Sequence, residues 1–280
     1  MNKIPATVGI LTFNNEDTLR RTLESVREFD DVVICDGGSH DKTLDIAREY
    51  GARVIAQDTK YKNADGSLAD YGGVRQRCLE AAKHDWFLYI DSDETISDGL
   101  CDDIRLIASK ETTADSTLVY KVPIGIMMDG RYLKYSSNYP GYQYRFFNRK
   151  SGARFVKPVH ERIVFDDAHV KIGVLAHPWY IYTTREYWRH YVRETGGYRP
   201  IEVARSCDEP FTFKGYFYHT LWWHLRASGA VIIKAARNYL LHGFKDAVPV
   251  CGELGRAAAP LITVWKVTVC RMRKALRSLL

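Results

Sequence analysis

Apolar and polar positions in the first hundred residues switch repeatedly between two periods. Thr7 to Phe13, TVGILTF, is a short β-branched apolar run and is predicted as a strand. Asn15 is placed to cap a helix in which Leu19, Leu23 and Val26 recur at helical spacing. Asp31 to Asp36, DVVICD, forms a second apolar run that Gly37-Gly38 ends. Ser39 or Asp41 can cap a second helix with Leu44, Ala47 and Tyr50 on one face. Ala52 to Ala56 gives a third strand, residues 70 to 83 a third helix, and Trp86 to Ile90, WFLYI, a fourth strand. Continuous apolar strands separated by amphipathic helices predict an α/β architecture, with a mostly parallel sheet covered on both faces.

Past residue 117 the rhythm changes. Segments 118 to 128, 142 to 148 and 161 to 175 are strand-like, with aromatic and β-branched residues between turn signals. A helix is predicted from Arg185 to Thr195, capped by Thr184, and the last seventy residues read as helical, rich in aromatics and bases. There is no internal repeat, low-complexity tract or Pro/Gly/Ser linker. The expected organisation is a main domain over 1–210, with halves 1–117 and 118–210, followed by a helical extension over 211–280.

Composition adds limits. At 280 residues, 46% hydrophobic and 26% charged, the chain fits one large globular domain, or one with an appendage. Six scattered cysteines (35, 78, 101, 207, 251 and 270) form no CxxC pair, which fits reduced thiols in a cytosolic protein better than a disulfide framework. The opening MNKIPATVGILTFN lacks a long apolar core and cleavage site, so a cytoplasmic rather than secreted location is expected. The net charge of +6 conceals an asymmetry: from Phe211 onward there are 11 Lys and Arg against Asp246 and Glu253. Such a segment suits an anionic membrane surface or a nucleic acid.

In open parallel sheets, ligands bind beyond the carboxyl ends of the strands. Those ends carry Thr12-Phe13-Asn14, Asp36-Gly37-Gly38-Ser39 and Asp91-Ser92-Asp93-Glu94. An isolated Asp-x-Asp is usually an exposed acidic turn. Here it directly follows an apolar strand and shares its edge with two other polar strand ends.

The ordered set ILTFNNEDTLRRTLES, VVICDGGSHDKTLDIAREYGARV, GVRQRCLEAAKHDW and FLYIDSDE resembles the donor half of glycosyltransferase family 2, whose fold is called GT-A, over roughly residues 4 to 97. YRFFNR, then VHER, then a basic aromatic tail resemble the lipopolysaccharide-core and polysaccharide branch. The resemblance implies an inverting transferase taking a sugar from a nucleotide-sugar, preferably UDP-linked, to a saccharide or lipid-linked saccharide. Thr12 and Asn14 then line the nucleotide pocket, and Asp36 recognises the base through its ring NH. Arg75 reaches the donor phosphates or ribose, with Gln76 standing where the family often has asparagine. Asp91 faces the ribose, Ser92 belongs to the donor pocket, and Asp93 binds Mg²⁺ or Mn²⁺. A divalent ion stabilises the charge that builds on a departing nucleoside diphosphate.

Inversion also needs a carboxylate base on the opposite face of the sugar. Glu161, Glu94 and Asp129 are candidates, and Glu161 is preferred because VHER follows YRFFNR as in the resembling family. His160 either completes the metal shell or holds Glu161. Arg145 and Arg149 could contact phosphates of the donor or of a lipid-linked acceptor.

Aromatic and basic residues interleave through 213 to 245 and again through 257 to 277, and the longest uncharged run of the first stretch, Gly215 to Leu225, is 11 residues. That is too short to span a bilayer but suits a helix lying in the membrane interface. The alternative is that these helices pack on the main domain or on a second subunit. Two other functions compete. A sugar nucleotidyltransferase usually carries a Gly-rich, basic phosphate loop after the first strand, which TFNNEDTLRR does not resemble. A nucleic-acid-binding protein would leave the acidic sheet edge unexplained, since that edge repels phosphates; no nucleic-acid partner is therefore expected.

Overall fold

The computed structural model describes residues 2–63, 65–113, 116–157, 162–166, 170–184, 186–187 and 199–277. The chain divides into two compact units, one of residues 1–125 and 141–182, the other of 126–140 and 183–280.

In the first unit the predicted strand–helix alternation is found. It runs β1 (Ile4–Thr12), α1 (Leu19–Ser25), β2 (Phe29–Asp36), α2 (Thr43–Glu49), β3 (Arg53–Ala56), α3 (Tyr71–Glu80) and β4 (Trp86–Asp91). These are followed by β5 (Glu94–Ile96), α4 (Asp98–Ala108) and β6 (Val119–Met128). The short β7 (Arg131–Leu133) belongs to the second unit, and the chain returns with β8 (Tyr142–Asn148), β9 (Arg154–Val156), β10 (Arg162–Val164), β11 (Ile172–Val174) and β12 (Trp179–Thr183). The main sheet has the order β3-β2-β1-β4-β8-β6-β12-β5. β3, β2, β1 and β4 are parallel; β8 joins β4 antiparallel, and β6 joins β8 antiparallel.

Both faces of the central strands β1, β2 and β4 are largely buried, which is why these strands are mostly apolar. Ile4, Ala6, Val8 and Ile10 point from β1 into one core with Leu19, Leu23, Leu88, Leu100 and Ile104. On the other face, Val33, Cys35 and Phe87 pack against Val74, Cys78 and Leu79 of α3. A Cβ on Gly9 would come within 2.4 Å of the Phe87 ring and 3.2 Å of the Cys78 Cβ, so only glycine lets α3 approach β1 this closely.

Local details depart from the expected pattern. α1 begins only at Leu19; Asn15 does not cap it, its Oδ1 instead accepting from the Phe13 amide at 2.8 Å. α2 begins at Thr43 and buries Thr43, Ile46 and Ala47, so its core face is rotated from Leu44. Asp41 accepts from the Thr43 amide one residue ahead of the position expected of a cap, at 3.0 Å. The stretch 161 to 175 resolves into β10 and β11, and most of the helix expected over Arg185 to Thr195 lies outside the described residues.

In the second unit, Ile126–Met128 pair with β7 across a tight turn in which Asp129 and Gly130 both have positive φ, 50° and 77°. Then come α5 (Arg199–Asp208), the single turn α6 (Phe213–Gly215), a π-helical stretch Tyr216–Trp222, α7 (Trp223–His242) and α8 (Val250–Arg277). Ile126, Met128, Leu133 and Val248 make a small apolar cluster. Polar bonds supplement it: Asn238 donates to the Ser136 carbonyl at 2.6 Å, and buried Glu253 accepts from the Ser137 amide at 2.7 Å. No helix among the described residues is long and apolar enough to cross a membrane.

One expectation is overturned here. Cys207 and Cys270 are joined in a disulfide, with Cα atoms 6.3 Å apart and 63 residues of separation. The packing of α5 on α8 brings them together, which no local spacing of cysteines reveals. Cys35, Cys78, Cys101 and Cys251 are free thiols, the first three buried.

Candidate functional site

Parallel register brings three strand ends to one edge of the sheet. Thr12 pairs with Asp36 across β1 and β2, and Leu11 pairs with Asp91 across β1 and β4. Asp36 is buried there, and its two carboxylate oxygens accept four hydrogen bonds. Thr12 Oγ1 and Ser39 Oγ donate to Oδ1 at 2.9 and 2.6 Å; the Gly38 and Ser39 amides donate to Oδ2 at 2.7 and 2.8 Å. That fills the capacity of a carboxylate. Asn14 has φ +53°, a conformation that asparagine tolerates better than most residues. Its amide donates to Ser39 Oγ at 2.9 Å and its Oδ1 accepts from the His40 amide at 2.8 Å. Thr12, Asn14, Asp36 and Ser39 thus form one hydrogen-bonded wall.

Phe13 stands on this wall with 57% of its surface exposed, its ring against Gly37. Sequence reasoning passed over it. Its signal was an aromatic residue directly after the last strand position, where the inward burial of β1 has ended.

The turn after β4 is the second half of the site. Arg75, buried on α3, donates to Asp91 Oδ1 at 2.5 Å with its guanidinium over the Tyr89 ring. The Asp91 amide donates to Glu94 Oε2 at 2.8 Å. Arg145 on β8 holds both oxygens of Glu94 at 2.9 and 3.1 Å and donates to the Tyr89 carbonyl at 3.2 Å. Its guanidinium lies between the Tyr89 and Trp179 rings, 4.6 and 4.5 Å from their centroids. Thr22 donates to the Ser92 carbonyl at 2.9 Å, and Arg21 to the Asp93 carbonyl at 3.2 Å.

The carboxyls of this turn are shifted in different directions. Desolvation pushes Asp91 upward, but the Arg75 and Arg145 guanidiniums outweigh it and hold its carboxyl below the usual range. Burial raises Asp93, and the negative charge of Asp91 raises it further. Burial also raises Glu94, against the pull of Arg145. Asp93 thus carries a raised carboxyl beside the lowered one of Asp91.

The structure thus brings together Thr12, Asn14, Asp36, Arg75, Asp91, Ser92 and Asp93. It does not bring Arg145 to a ligand surface: that guanidinium is buried and committed to Glu94. The same pair engages both oxygens of Glu94, which leaves it unsuited to act as a base. Arg149 is at the opposite edge, its amide bonded to the Asp85 carbonyl just before β4. Since β8 runs antiparallel to β4, pairing Trp86 with Asn148, residues past Asn148 return to the start of β4. Asp129 occupies the β6–β7 turn of the second unit. Gln76 accepts from the Phe155 amide at 3.1 Å, a structural bond. His160 and Glu161 lie outside the described residues.

Among the described residues, no group of three or more His, Cys, Asp or Glu could by itself hold a metal ion. Asp91 and Asp93 nevertheless fit one kind of cation. Mg²⁺-type ions are commonly held by one or two carboxylates, with water and substrate phosphates completing the shell. The upward push of Asp91 on Asp93 is a repulsion that a divalent cation would relieve.

Residues 7–173 match Glycosyl transferase family 2. Over 245 residues the chain is 26% identical to an uncharacterized glycosyltransferase of Rickettsia typhi, covering 84% of this chain and 78% of that one. Over 119 residues it is 32% identical to an uncharacterized glycosyltransferase of Rickettsia bellii, covering 42% and 37%. Among solved structures it is similar to TarS 1-349 of S. aureus in complex with UDP-GlcNAc, at 14% identity, a TM-score of 0.43, and 97% and 92% coverage.

Proposed function

The chain belongs to glycosyl transferase family 2, a glycosyltransferase of GT-A fold, and from that premise we propose that it moves a sugar, with inversion, from a UDP-linked donor to a saccharide or lipid-linked saccharide in cell-envelope polysaccharide synthesis. The observation that carries this reading is the convergence of Asp36, Asp91, Asp93 and Arg75 on one sheet edge.

The nucleotide lies along that edge, its base against Phe13 and the wall built by Thr12, Asn14 and Asp36. Base recognition by Asp36 is an exchange, since both its oxygens already serve the protein. The Thr12 and Ser39 hydroxyls are the donors free to rotate, because backbone amides cannot. Arg75 holds Asp91 through one oxygen, which orients the other toward a ribose hydroxyl, and Ser92 borders the donor. Asp93 would hold Mg²⁺ or Mn²⁺, which when bound would supply Lewis-acid stabilisation of the departing diphosphate. Glu161, with His160 as its neighbour, takes the proton from the attacking acceptor hydroxyl. Arg145 acts one layer behind, fixing Glu94 and through it the Asp91 amide. A lipid-linked acceptor requires the enzyme to work at the cytoplasmic membrane face, with residues 211–280 as the contact.

A thermal-shift screen of UDP, GDP, dTDP and CMP, each with and without Mn²⁺, tests the donor. UDP should stabilise the protein in the presence of Mn²⁺, and Asp93→Ala should remove the Mn²⁺-dependent part. No stabilisation by any of the four would overturn the assignment.

A further inference from the structure

α8 is amphipathic in an inverted sense. Its inner face buries Gly252, Glu253, Gly255, Ala257, Thr263 and Val267. Its outer face carries Leu254, Leu261, Trp265, Met272 and Leu276, all exposed, between 42% and 69%. Their spacing of three to four residues and its multiples puts them in one stripe, about 33 Å long at 1.5 Å per residue. A helix on the surface of a soluble protein normally turns its charged residues outward, so a continuous outward apolar stripe marks a contact surface.

One flank of the stripe is cationic. Lys266, Arg273 and Arg277 follow Trp265 by one, eight and twelve positions and so share a side of the helix. With Val203 of α5 and with Trp265 and Val269 as its apolar wall, they line a groove of about 440 Å³. Among the residues lining this groove none is acidic. From Phe211 on the acids are Asp246 and Glu253, and Glu253 is buried on the inner face, bonded to the Ser137 amide. Asp208, on α5, is bound by Lys274.

We propose that this stripe is the part of the protein that lies in an anionic lipid surface, with Trp265, Met272 and Leu276 entering the headgroup boundary and Lys266, Arg273 and Arg277 meeting lipid phosphates. The inference rests on the membrane-presented acceptor of the reading above and names the surface that contacts it. Apolar residues set beside a cationic row match an anionic bilayer interface. A second copy of the chain is disfavoured as the occupant, because each copy brings the same excess of 11 Lys and Arg over two acids from Phe211 onward.

Flotation of the full chain with phosphatidylcholine vesicles, with and without phosphatidylglycerol, tests this. The protein should float with the anionic vesicles and not with the neutral ones. Replacing Lys266, Arg273 and Arg277 together by Ser should weaken binding about a hundredfold, at roughly fivefold per cation. Trp265→Asp with Met272→Asp should abolish binding, whereas Leu106→Asp, exposed on α4, should leave it unchanged. Every variant should keep the UDP- and Mn²⁺-dependent thermal shift, which shows that it is folded. Equal flotation of stripe variants and wild type overturns the inference, as does failure of the wild type to float while UDP still stabilises it. A sedimenting dimer that Trp265→Asp converts to monomer would assign the stripe to a second copy instead. Flotation without any nucleotide response would sink the donor reading and leave the lipid surface standing.

Discussion

Two Asp–Arg pairs stand at opposite ends of the same parallel sheet, and they are built differently. Asp31, on β2, is enclosed, with its side chain 3% exposed. Arg53 grips both its oxygens at 2.8 Å, Thr7 donates at 2.8 Å and the Lys83 amide at 3.0 Å. Asp91, at the end of β4, is held by Arg75 at one oxygen and is 41% exposed. Beside it Asp93 has a carboxyl raised by burial and by Asp91 itself. In the first pair the arginine takes both carboxylate oxygens, and in the second it takes one. Satisfaction of hydrogen-bonding capacity, more than the presence of acids, separates the structural end from the end read here as functional.

Three measurements can break or sharpen that contrast. The largest expected effect belongs to the layer behind the open end. Arg145→Ala leaves buried Glu94 without its partner and should cost about 3–5 kcal/mol of unfolding free energy. Denaturant titration would read this, and a cost below about 1 kcal/mol would show the pair to be dispensable. Next, Asp93→Asn should lower transfer about 10²- to 10³-fold, the scale for losing one preorganised electrostatic contact to a transition state. Its unfolding midpoint should stay unchanged or rise, because a repulsion is removed; a marked loss of stability would instead make Asp93 structural.

The smallest effect is expected at the closed end. Asp31→Asn should destabilise by about 1–3 kcal/mol and leave the activity of the folded protein intact. Burial pushes Asp31 up, but Arg53, the Lys83 amide and Thr7 prevail, so its carboxyl titrates below the ordinary value. Ionisation of Asp31 therefore stabilises the fold. That contribution is complete above the unfolded-state value, about 3.9, and is lost as pH falls through the lower folded value. Acid titration followed by circular dichroism should show this step in wild type and not in Asp31→Asn.

The sheet was legible in the sequence because its strands are apolar on both faces, a pattern that helices do not share. The edge was legible because a parallel sheet places all carboxyl strand ends together. The burial of Arg145 had a clue in the sequence: it shares one face of β8 with Phe147, which lies in the core. The place of Arg149 had none, because strand direction is not written in strand composition. Glu94 and Arg145 meet across 51 residues, a pairing that only the folded sheet creates. The Cys207–Cys270 bond is illegible for the same reason. That Asp36 already takes four donors was not legible, because they come from backbone and hydroxyl groups whose aim depends on the loop.

The turn from Asp91 to Glu94 is fastened at the Asp91 amide, the Ser92 carbonyl and the Asp93 carbonyl, each to a different partner. Such a turn arrives already stiff when a ligand meets it. Little conformational freedom remains there to be lost on binding, so affinity at this end should be limited by desolvation of the carboxylates rather than by ordering of the chain. Amide hydrogen exchange at residues 91–94 should then be nearly the same with nucleotide bound as without it.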